Sequence, residues 1–278
     1  MMRYIYILFI LFFIGCSNGK LDYESSDLRY EEAMKLFSQE KYLKAKEQFK
    51  YMIFNNPGSK NALDSQFYLA ECFYLLEEYD QASKEYEKYI SMSQDSDLVK
   101  KSKFLAAKCY YELSLSYYKD QTDTKYAISK IQNFIEQYSD NKQNIILHNK
   151  EIDLLENSND MIDELRLRLA KKDLESGKLY IRLRKYNAAL TYFNSILLEY
   201  YDTEYNDDAI YSSVLTYLKM KDLKSANKFL LSNKDNFYNQ SNYDKVQKII
   251  DNYSLDKKSY EYIPGILGGV YLLQLGLE

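Results

Sequence analysis

Small, aromatic and polar positions recur along this chain with a period of 37 residues. Ala33, Ala70 and Ala107 are 37 residues apart. Other columns keep the same step: Tyr30, Phe67 and Phe104; Phe37, Tyr74 and Tyr111; Tyr42 and Tyr79; Phe49 and Tyr86; Gly177 and Val214; Tyr180 and Tyr217; Ala189 and Ala226. Several independent columns that agree at one period predict a repeat architecture.

Within one period the pattern predicts two helices joined by a short turn. Ala33 in the first predicted helix is followed by Ala45 and Phe49 in the second. The segments SQEKYLKA, LEEYDQA, LRKYNAA and MKDLKSA each place a short polar turn before the second helix. Small side chains let two helices approach closely, and large ones fill the remaining gap. These offsets resemble the tetratricopeptide repeat, so we expect an all-α, right-handed solenoid of about five such helix pairs.

The repeat units predict the organisation of the chain. We expect units at residues 26–57, 61–94, 98–139, 161–201 and 205–234. The third unit carries an insertion, because the step from Ala107 to Ala127 is longer than the step from Ala33 to Ala45. We expect an N-terminal part at 26–139 and a C-terminal part at 140–254, which ends in a capping helix near 241–252. The apolar tail at 255–278 is either a flap over the last unit or a docking segment for a partner or membrane.

The N-terminus predicts a lipoprotein signal peptide. After Arg3, an apolar run covers residues 4–14, which is shorter than the roughly 20 residues that a membrane-spanning helix needs. The sequence FIGC at 13–16 resembles the bacterial lipobox, in which the chain is cleaved before a cysteine that receives lipid. We expect a signal peptide at 1–15, lipidation of Cys16 and a polar tether at 16–25. An ordinary signal peptide and an uncleaved anchor are the alternatives.

Composition and charge argue against several functional classes, namely nucleic-acid binding, metal binding and catalysis. The net charge is −4 and no basic stripe is present, so nucleic acid is not an expected partner. The chain has one histidine, His148, and no Gly-rich phosphate loop; we expect no catalytic residue, no metal site, no cofactor and no enzymatic activity. Cys72 and Cys109 are one period apart. Stacked helices lie about 8–10 Å apart, too far for a disulfide, so we expect two buried free thiols.

The repeat resemblance also implies two binding surfaces on the first helices of the units, which line the concave side of such solenoids. In the first three units these positions form an aromatic-lined groove for an extended peptide: Tyr30, Met34, Phe37, Phe67, Glu71, Tyr74, Phe104, Lys108 and Tyr111. In the later units they are more aliphatic and suit a larger protein contact: Leu174, Lys178, Ile181, Tyr211, Leu215 and Leu218. The alternative is that these side chains only pack between repeats.

The lipobox, the tether and five repeats with an insertion in the third together resemble the BamD family. The segments YYELSLSYYKDQTDTKYAISKIQNFIEQY and IDELRLRLAKKDLESGKLYIRLRKYNAALTYFNSIL carry most of this resemblance, which covers residues 16–235. It implies a lipoprotein scaffold of the β-barrel assembly complex on the periplasmic side of the outer membrane, anchored in outer-membrane lipid through acylated Cys16. Its expected partners are the POTRA domains of a BamA-like insertase, other assembly-complex lipoproteins, and the targeting segments of unfolded outer-membrane proteins.

Two other classes of lipoprotein share some of these features. A tetratricopeptide lipoprotein of pilus assembly or of cell-division coordination would have the same anchor and the same repeats. A glycan-binding lipoprotein of the SusD type also uses such helices, but those chains are usually much longer and rich in tryptophan, which is absent from this sequence. Co-purification with a BamA-like barrel protein separates the first alternative from the BamD resemblance.

Overall fold

The computed structural model describes residues 26–139, 144–147 and 150–255, and within them the fold consists of helix pairs. The helices are α1 (Ser26–Ser38), α2 (Tyr42–Asn55), α3 (Lys60–Leu75), α4 (Tyr79–Met92), α5 (Ser96–Leu113), α6 (Thr122–Tyr138), α7 (Leu154–Arg182), α8 (Tyr186–Glu199), α9 (Asn206–Lys219), α10 (Leu223–Ser232) and α11 (Gln240–Leu255). The predicted all-α fold of repeated helix pairs is confirmed, and α11 lies where the capping helix is expected. The signal peptide, Cys16, His148 and the tail from residue 256 lie outside the described residues.

The chain divides into two compact units between Ser102 and Lys103, inside α5. In the first unit, α1 to α4 pack in succession, each helix against the next. In the second unit, α6 to α11 pack in the same sequential way. The repeat pattern predicts a boundary near residue 140, at the end of the third pair. Within the second unit α6 of the third pair packs against α7 of the fourth, and a functional division near residue 140 stays a prediction.

Four of the helix pairs in the described residues turn through a residue in the left-handed backbone conformation. Glu40, Glu77, Arg184 and Lys221 have φ values of 57–61° and follow the first helix of pairs one, two, four and five. In the second pair, Glu77 N donates to Tyr74 O at 3.0 Å and Glu78 N donates to Phe73 O at 2.9 Å. These two bonds satisfy carbonyls that the helix end would leave unpaired. The same type of turn therefore recurs in four of the described helix pairs.

Replacing Glu77 with glycine is expected to stabilise the first unit by about 1 kcal/mol, because an L-residue in the left-handed region bears a cost that glycine does not. Urea denaturation followed by far-UV circular dichroism measures the change. Glu87→Gly is the control, since Glu87 lies inside α4, where glycine is expected to destabilise by about 1 kcal/mol. Equal losses of stability in the two variants would contradict the expectation.

Residues at equivalent positions of the repeat form much of the core of each unit. In the first unit the small residues Ala33, Ala45, Ala70 and Ala82 are fully buried. In the second unit Leu174, Ile181, Ala189 and Phe193 belong to one buried cluster, and a further cluster joins α9, α10 and α11. Small residues therefore lie where helices meet, as their spacing predicts.

The insertion of the third pair and the segment after it give the second unit its irregular features. The insertion covers residues 114–121, between the end of α5 and the start of α6. The polar stretch that follows contains an unexpected antiparallel pair of strands, β1 (Asn144–Leu147) and β2 (Lys150–Asp153). The Asp153 side chain then accepts hydrogen bonds from Leu155 N and Glu156 N. This N-cap starts α7 well before the predicted start of the fourth unit at residue 161.

Candidate functional site

The expected groove residues of α1 are half-buried and face an aromatic cluster. Tyr30, Met34 and Phe37 lie at i, i+4 and i+7, which places them on one side of the helix. Phe37 packs edge-on against Tyr42 at 5.5 Å and Tyr68 at 5.3 Å between ring centroids. Burial raises the pKa of Tyr30 to about 12. Part of each side chain remains accessible, so this face can contact a ligand.

Two of the three expected groove residues of α3 lie in the core. Phe67 is buried among Tyr68, Tyr86 and Tyr89. Glu71 is also buried, and its Oε1 accepts a hydrogen bond from the Tyr86 hydroxyl at 2.9 Å. Only Tyr74 of the three is half-buried, and it packs against Tyr79. We therefore assign Phe67 and Glu71 to packing and leave them out of any ligand-binding surface.

The expected groove residues of α5 divide in the same way. Phe104 is fully buried against Phe134, whereas Lys108 and Tyr111 are half-buried. The Tyr111 hydroxyl donates to Glu164, and burial together with this bond raises the pKa of Tyr111 to about 12. Tyr111 is thus held by α7 of the same unit. Of the three expected α5 positions, Lys108 and Tyr111 are the ones that a ligand can reach.

The six residues expected to contact a partner in the later units are all buried in the free chain. These residues are Leu174, Lys178, Ile181, Tyr211, Leu215 and Leu218. Lys178 is buried in α7, and the other five belong to the two buried clusters of the second unit. The Lys178 ammonium forms an ion pair with Glu175 at 2.9 Å. These side chains pack between neighbouring helices and are not exposed in the structure, so their role in a partner contact stays a prediction.

A tyrosine patch, formed by Arg166, Tyr201, Asp202 and Tyr238, is exposed on the second unit. Arg166 donates to both carboxylate oxygens of Asp202 and to the carbonyl oxygen of Glu199. The hydrogen bonds from Arg166 lower the pKa of Asp202. Tyr201 and Tyr238 are 64% and 62% exposed. Exposed tyrosines around a fixed arginine are typical of protein interfaces. Sequence reasoning missed the patch because its tyrosines lie in loops and do not follow the repeat period.

The partly buried carboxylate of Asp208 makes the stability of the second unit depend on pH. Burial raises the pKa of Asp208 to about 6; Lys178 opposes this shift, while Asp207, Glu204 and Glu175 add to it. The folded state therefore binds this proton more tightly than the unfolded state does. The contribution of Asp208 to stability consequently falls as the pH rises from about 4 to about 6.

Asp208→Asn is expected to stabilise the second unit at pH 7 by about 2 kcal/mol, with little effect at pH 4, where the carboxyl is protonated in the folded state. Urea denaturation at pH 4, 5, 6 and 7 measures this difference. Asp160→Asn, at an exposed position of α7, is the control and should change stability equally little at each pH. A gain that did not grow with pH would contradict the assignment.

The insertion at 114–121 is fixed to α7 and borders two clefts. Arg168 donates to the carbonyl and hydroxyl oxygens of Ser114 at 2.9 Å, and Lys172 donates to the carbonyl of Lys119 at 3.0 Å. On one side a cleft of about 410 Å³ lies beside Tyr117 and Tyr118. On the other, a cleft of about 580 Å³ lies between the insertion, α7 and α8.

Three further features of the described residues concern metal-ligand clusters, cysteines and apolar helices. Within 26–139, 144–147 and 150–255, no three His, Cys, Asp or Glu side chains come together in a way that could hold a metal ion. Cys72 and Cys109 are both buried outside any disulfide, as predicted, and burial raises the pKa of the Cys72 thiol to about 12. None of the helices in the described part of the chain combines the length and apolar character needed to cross a membrane.

Comparisons with known proteins match a family over most of the chain. The YfiO model, described as an outer membrane lipoprotein, matches residues 22–230. Among solved structures, YrrB, a TPR protein with an unusual peptide-binding site, is 14% identical with a TM-score of 0.32, over 82% of this chain and 94% of that one. The apo quorum sensor NprR from B. thuringiensis is 13% identical with a TM-score of 0.28, over 85% and 72%. No curated protein sequence matches the chain significantly.

Proposed function

Since the chain belongs to the YfiO family of outer membrane lipoproteins, we propose that it is a lipid-anchored scaffold of the β-barrel assembly complex, as its resemblance to BamD implies. The observation that carries this proposal is the family match over residues 22–230, which begins shortly after Cys16 of the lipobox. A binding scaffold also agrees with the fold, because stacked helix pairs provide extended surfaces for protein partners.

The anchor of the proposed scaffold is the lipid on Cys16, which holds the protein to the outer membrane on its periplasmic side. Two or more acyl chains give stable membrane attachment, whereas one gives only marginal attachment. In cells that express the full chain, Cys16→Ala should leave the signal peptide uncleaved and the protein without lipid. Intact-mass measurement distinguishes this form from the cleaved and acylated wild type. An unmodified Cys16 in the mature wild-type protein would refute the anchor without affecting the repeat fold.

The proposed contact with the POTRA domains of a BamA-like insertase uses the tyrosine patch of the second unit. This choice replaces the six buried residues predicted from the repeat pattern. Tyr201→Ala combined with Tyr238→Ala should weaken binding of the barrel protein about thirtyfold or more, since two interface tyrosines that contribute about 1–2 kcal/mol each together supply about 2–4 kcal/mol. Phe54→Ala is the matched control, because Phe54 is 84% exposed in the first unit. Equal recovery from the double variant and from Phe54→Ala would exclude the patch.

The proposed site for targeting segments of unfolded outer-membrane proteins is the accessible part of the expected groove in the first unit. This part consists of Tyr30, Met34, Phe37 and Tyr74. Half-exposed aromatic rings can anchor an extended peptide at low entropic cost. Met34→Ala with Tyr74→Ala should weaken binding of a C-terminal outer-membrane-protein peptide several-fold in fluorescence anisotropy. An unchanged affinity would return these side chains to a packing role.

Affinity purification from detergent-solubilised envelopes tests the scaffold as a whole. The full-length protein should recover a β-barrel protein that carries periplasmic domains, together with other lipoproteins of the complex. Recovery of pilus or division proteins instead would establish the alternative class of tetratricopeptide lipoprotein. The Cys16→Ala chain, purified in parallel, shows whether the same partners bind without the anchor.

A further inference from the structure

The larger of the two clefts beside the insertion carries charges of both signs. It lies between the end of the insertion, the start of α6, the middle of α7 and α8, and has a volume of about 580 Å³. Its charged lining consists of Lys119, Asp120, Lys125, Lys172, Asp173 and Glu199. All of these residues belong to the second unit. The kind of ligand that the cleft can bind depends on how these charges are distributed along its walls.

Asp173 is a half-buried carboxylate with unused hydrogen-bonding capacity. Its Oδ2 accepts a hydrogen bond from the Ser195 hydroxyl at 2.7 Å. Across the described ranges of the chain, no donor reaches its Oδ1 and no cation forms an ion pair with it. Burial and the nearby Glu199 raise the pKa of Asp173, although the Ser195 hydrogen bond, Lys125 and Lys172 act in the opposite direction. A partly desolvated carboxylate of this kind gains free energy when a ligand supplies a donor.

Tyr200 and Glu199 extend this negative wall along the end of α8. Tyr200 is buried, and burial together with Glu199 and Asp173 raises the pKa of its hydroxyl to about 12. The hydroxyl therefore stays neutral, while Glu199 is exposed at the mouth of the cleft. The half-buried carboxylate of Asp173 and the exposed carboxylate of Glu199 thus both line the cleft and make this wall negative.

The three cations of the cleft, Lys119, Lys125 and Lys172, come from the insertion, α6 and α7 respectively. Lys172 is already engaged, since its ammonium donates to the carbonyl of Lys119 at 3.0 Å. Hydrogen bonds from the Thr122 side chain and from Thr122 N, the latter at 2.9 Å, lower the pKa of Asp120, and the nearby Lys172 and Lys125 add to this shift. In the described residues the one hydrogen bond to Asp173 comes from the Ser195 hydroxyl, whereas Asp120 accepts from Thr122. Lys125 and Lys172 act on both carboxylates, but neither forms an ion pair with Asp173.

We infer that this cleft binds an arginine side chain carried on a segment of a partner protein. A guanidinium group offers five donors in a planar fork, so it can bond Asp173 and Glu199 together, whereas a lysine ammonium acts as a point charge. A bound anion at this position would instead be repelled by the carboxylates of Asp173 and Glu199. The volume exceeds what one side chain needs and lies in the range of binding pockets, so the flanking main chain can also enter and present carbonyl oxygens to Lys119 and Lys125.

The inference relies on the proposed scaffold function only for the choice of a protein as the occupant. A photoreactive benzoylphenylalanine in place of Thr191, an exposed residue at the edge of the cleft, should cross-link the partner in cells that express the full chain. Sequencing of the cross-linked peptide should reveal an arginine close to the site of attachment. Asp173→Asn keeps the size of the side chain and should lower the yield of cross-link about tenfold or more, because the bound arginine would lose a charged partner at a partly buried position.

Charge reversal then identifies the arginine directly. Replacing the cross-linked arginine with glutamate should abolish the cross-link, and Asp173→Lys should restore it in that background. Asp160→Asn and Asp160→Lys, on the same helix but outside the cleft, are the matched controls and should leave the yield unchanged. Absence of any cross-linked protein, a captured segment without arginine, or a yield that Asp173→Asn does not change would each overturn the inference.

The outcomes of the two tests are separable. Affinity purification that recovers no barrel protein, combined with an arginine-dependent cross-link, would refute the proposed function and leave the cleft assignment in place. Purification of the barrel protein with an Asp173-independent cross-link would refute the cleft assignment alone. If Asp173→Lys does not fold, the loss of cross-link in Asp173→Asn, whose folding is checked by circular dichroism, decides the result.

Discussion

Gly177→Ala is expected to destabilise the second unit by about 2 kcal/mol, although alanine is the better helix former. Gly177 is buried in α7, where a Cβ atom would come within 2.7 Å of Cζ and 2.8 Å of Cδ1 of Phe193, and closer still to Cε1. The Phe193 ring is fully buried and cannot move away without disturbing the core. Overpacking costs about 1–3 kcal/mol, and we expect about 3 kcal/mol here because three ring atoms of a fully buried side chain are too close. The roughly 1 kcal/mol that alanine gains in helix propensity offsets part of this cost, so a net loss of about 2 kcal/mol remains.

The measurement is thermal unfolding, in which the variant should melt about 5 °C below the wild type. Phe193→Leu removes the ring carbons that meet the new methyl group. The double variant should therefore lose less stability than the sum of the two single variants, by about 1 kcal/mol or more. Ser176→Ala, the neighbouring position on α7, is the control and should have little effect. Additive losses in the double variant would show that the contact with Phe193 is not the cause.

The positions of the helix pairs could be predicted from the sequence because each repeat satisfies the same packing requirement. Ala45 and Ala82 are one period apart, and both are fully buried. The insertion could also be located, since Ala107 and Ala127 are too far apart for one ordinary turn. The strands at 144–147 and 150–153 were missed because they are short and lie in a polar stretch without a strong turn signal.

The binding surfaces were harder to predict than the fold because a repeat period identifies equivalent positions, not their exposure. Tyr30, Phe67 and Phe104 are equivalent by sequence, yet Tyr30 is half-buried and the other two lie in the core. The difference arises from neighbours that differ between pairs, such as the rings around Phe67. The Asp173 cleft depends on contacts between the insertion and α7, which are distant from each other in sequence, and no local pattern reveals such contacts.

Asp207→Ala is expected to destabilise the C-terminal end of the second unit by about 3 kcal/mol, since bonds to a charged acceptor are strong and buried donors are costly to leave unpaired. Asp207 is buried at the start of α9. Its carboxylate accepts from Tyr238 N at 2.9 Å, from Asn239 N at 3.3 Å and from the Asn242 amide at 2.9 Å. The carboxylate therefore joins α9 to the segment that leads into α11.

Hydrogen exchange at residues 238–242 provides the measurement, together with urea denaturation. Exchange there should accelerate in Asp207→Ala, while the amides of α2 and α3 in the first unit keep their wild-type rates. The adjacent Asp208→Asn is the sharpest control, because neutralising Asp208 relieves a partly buried charge and should stabilise the unit at pH 7. Two neighbouring carboxylates with opposite effects would show that hydrogen bonding, not charge or position alone, sets the contribution of each. Loss of Asp207 should also displace Tyr238 from the tyrosine patch and so weaken the proposed partner contact without altering Tyr201.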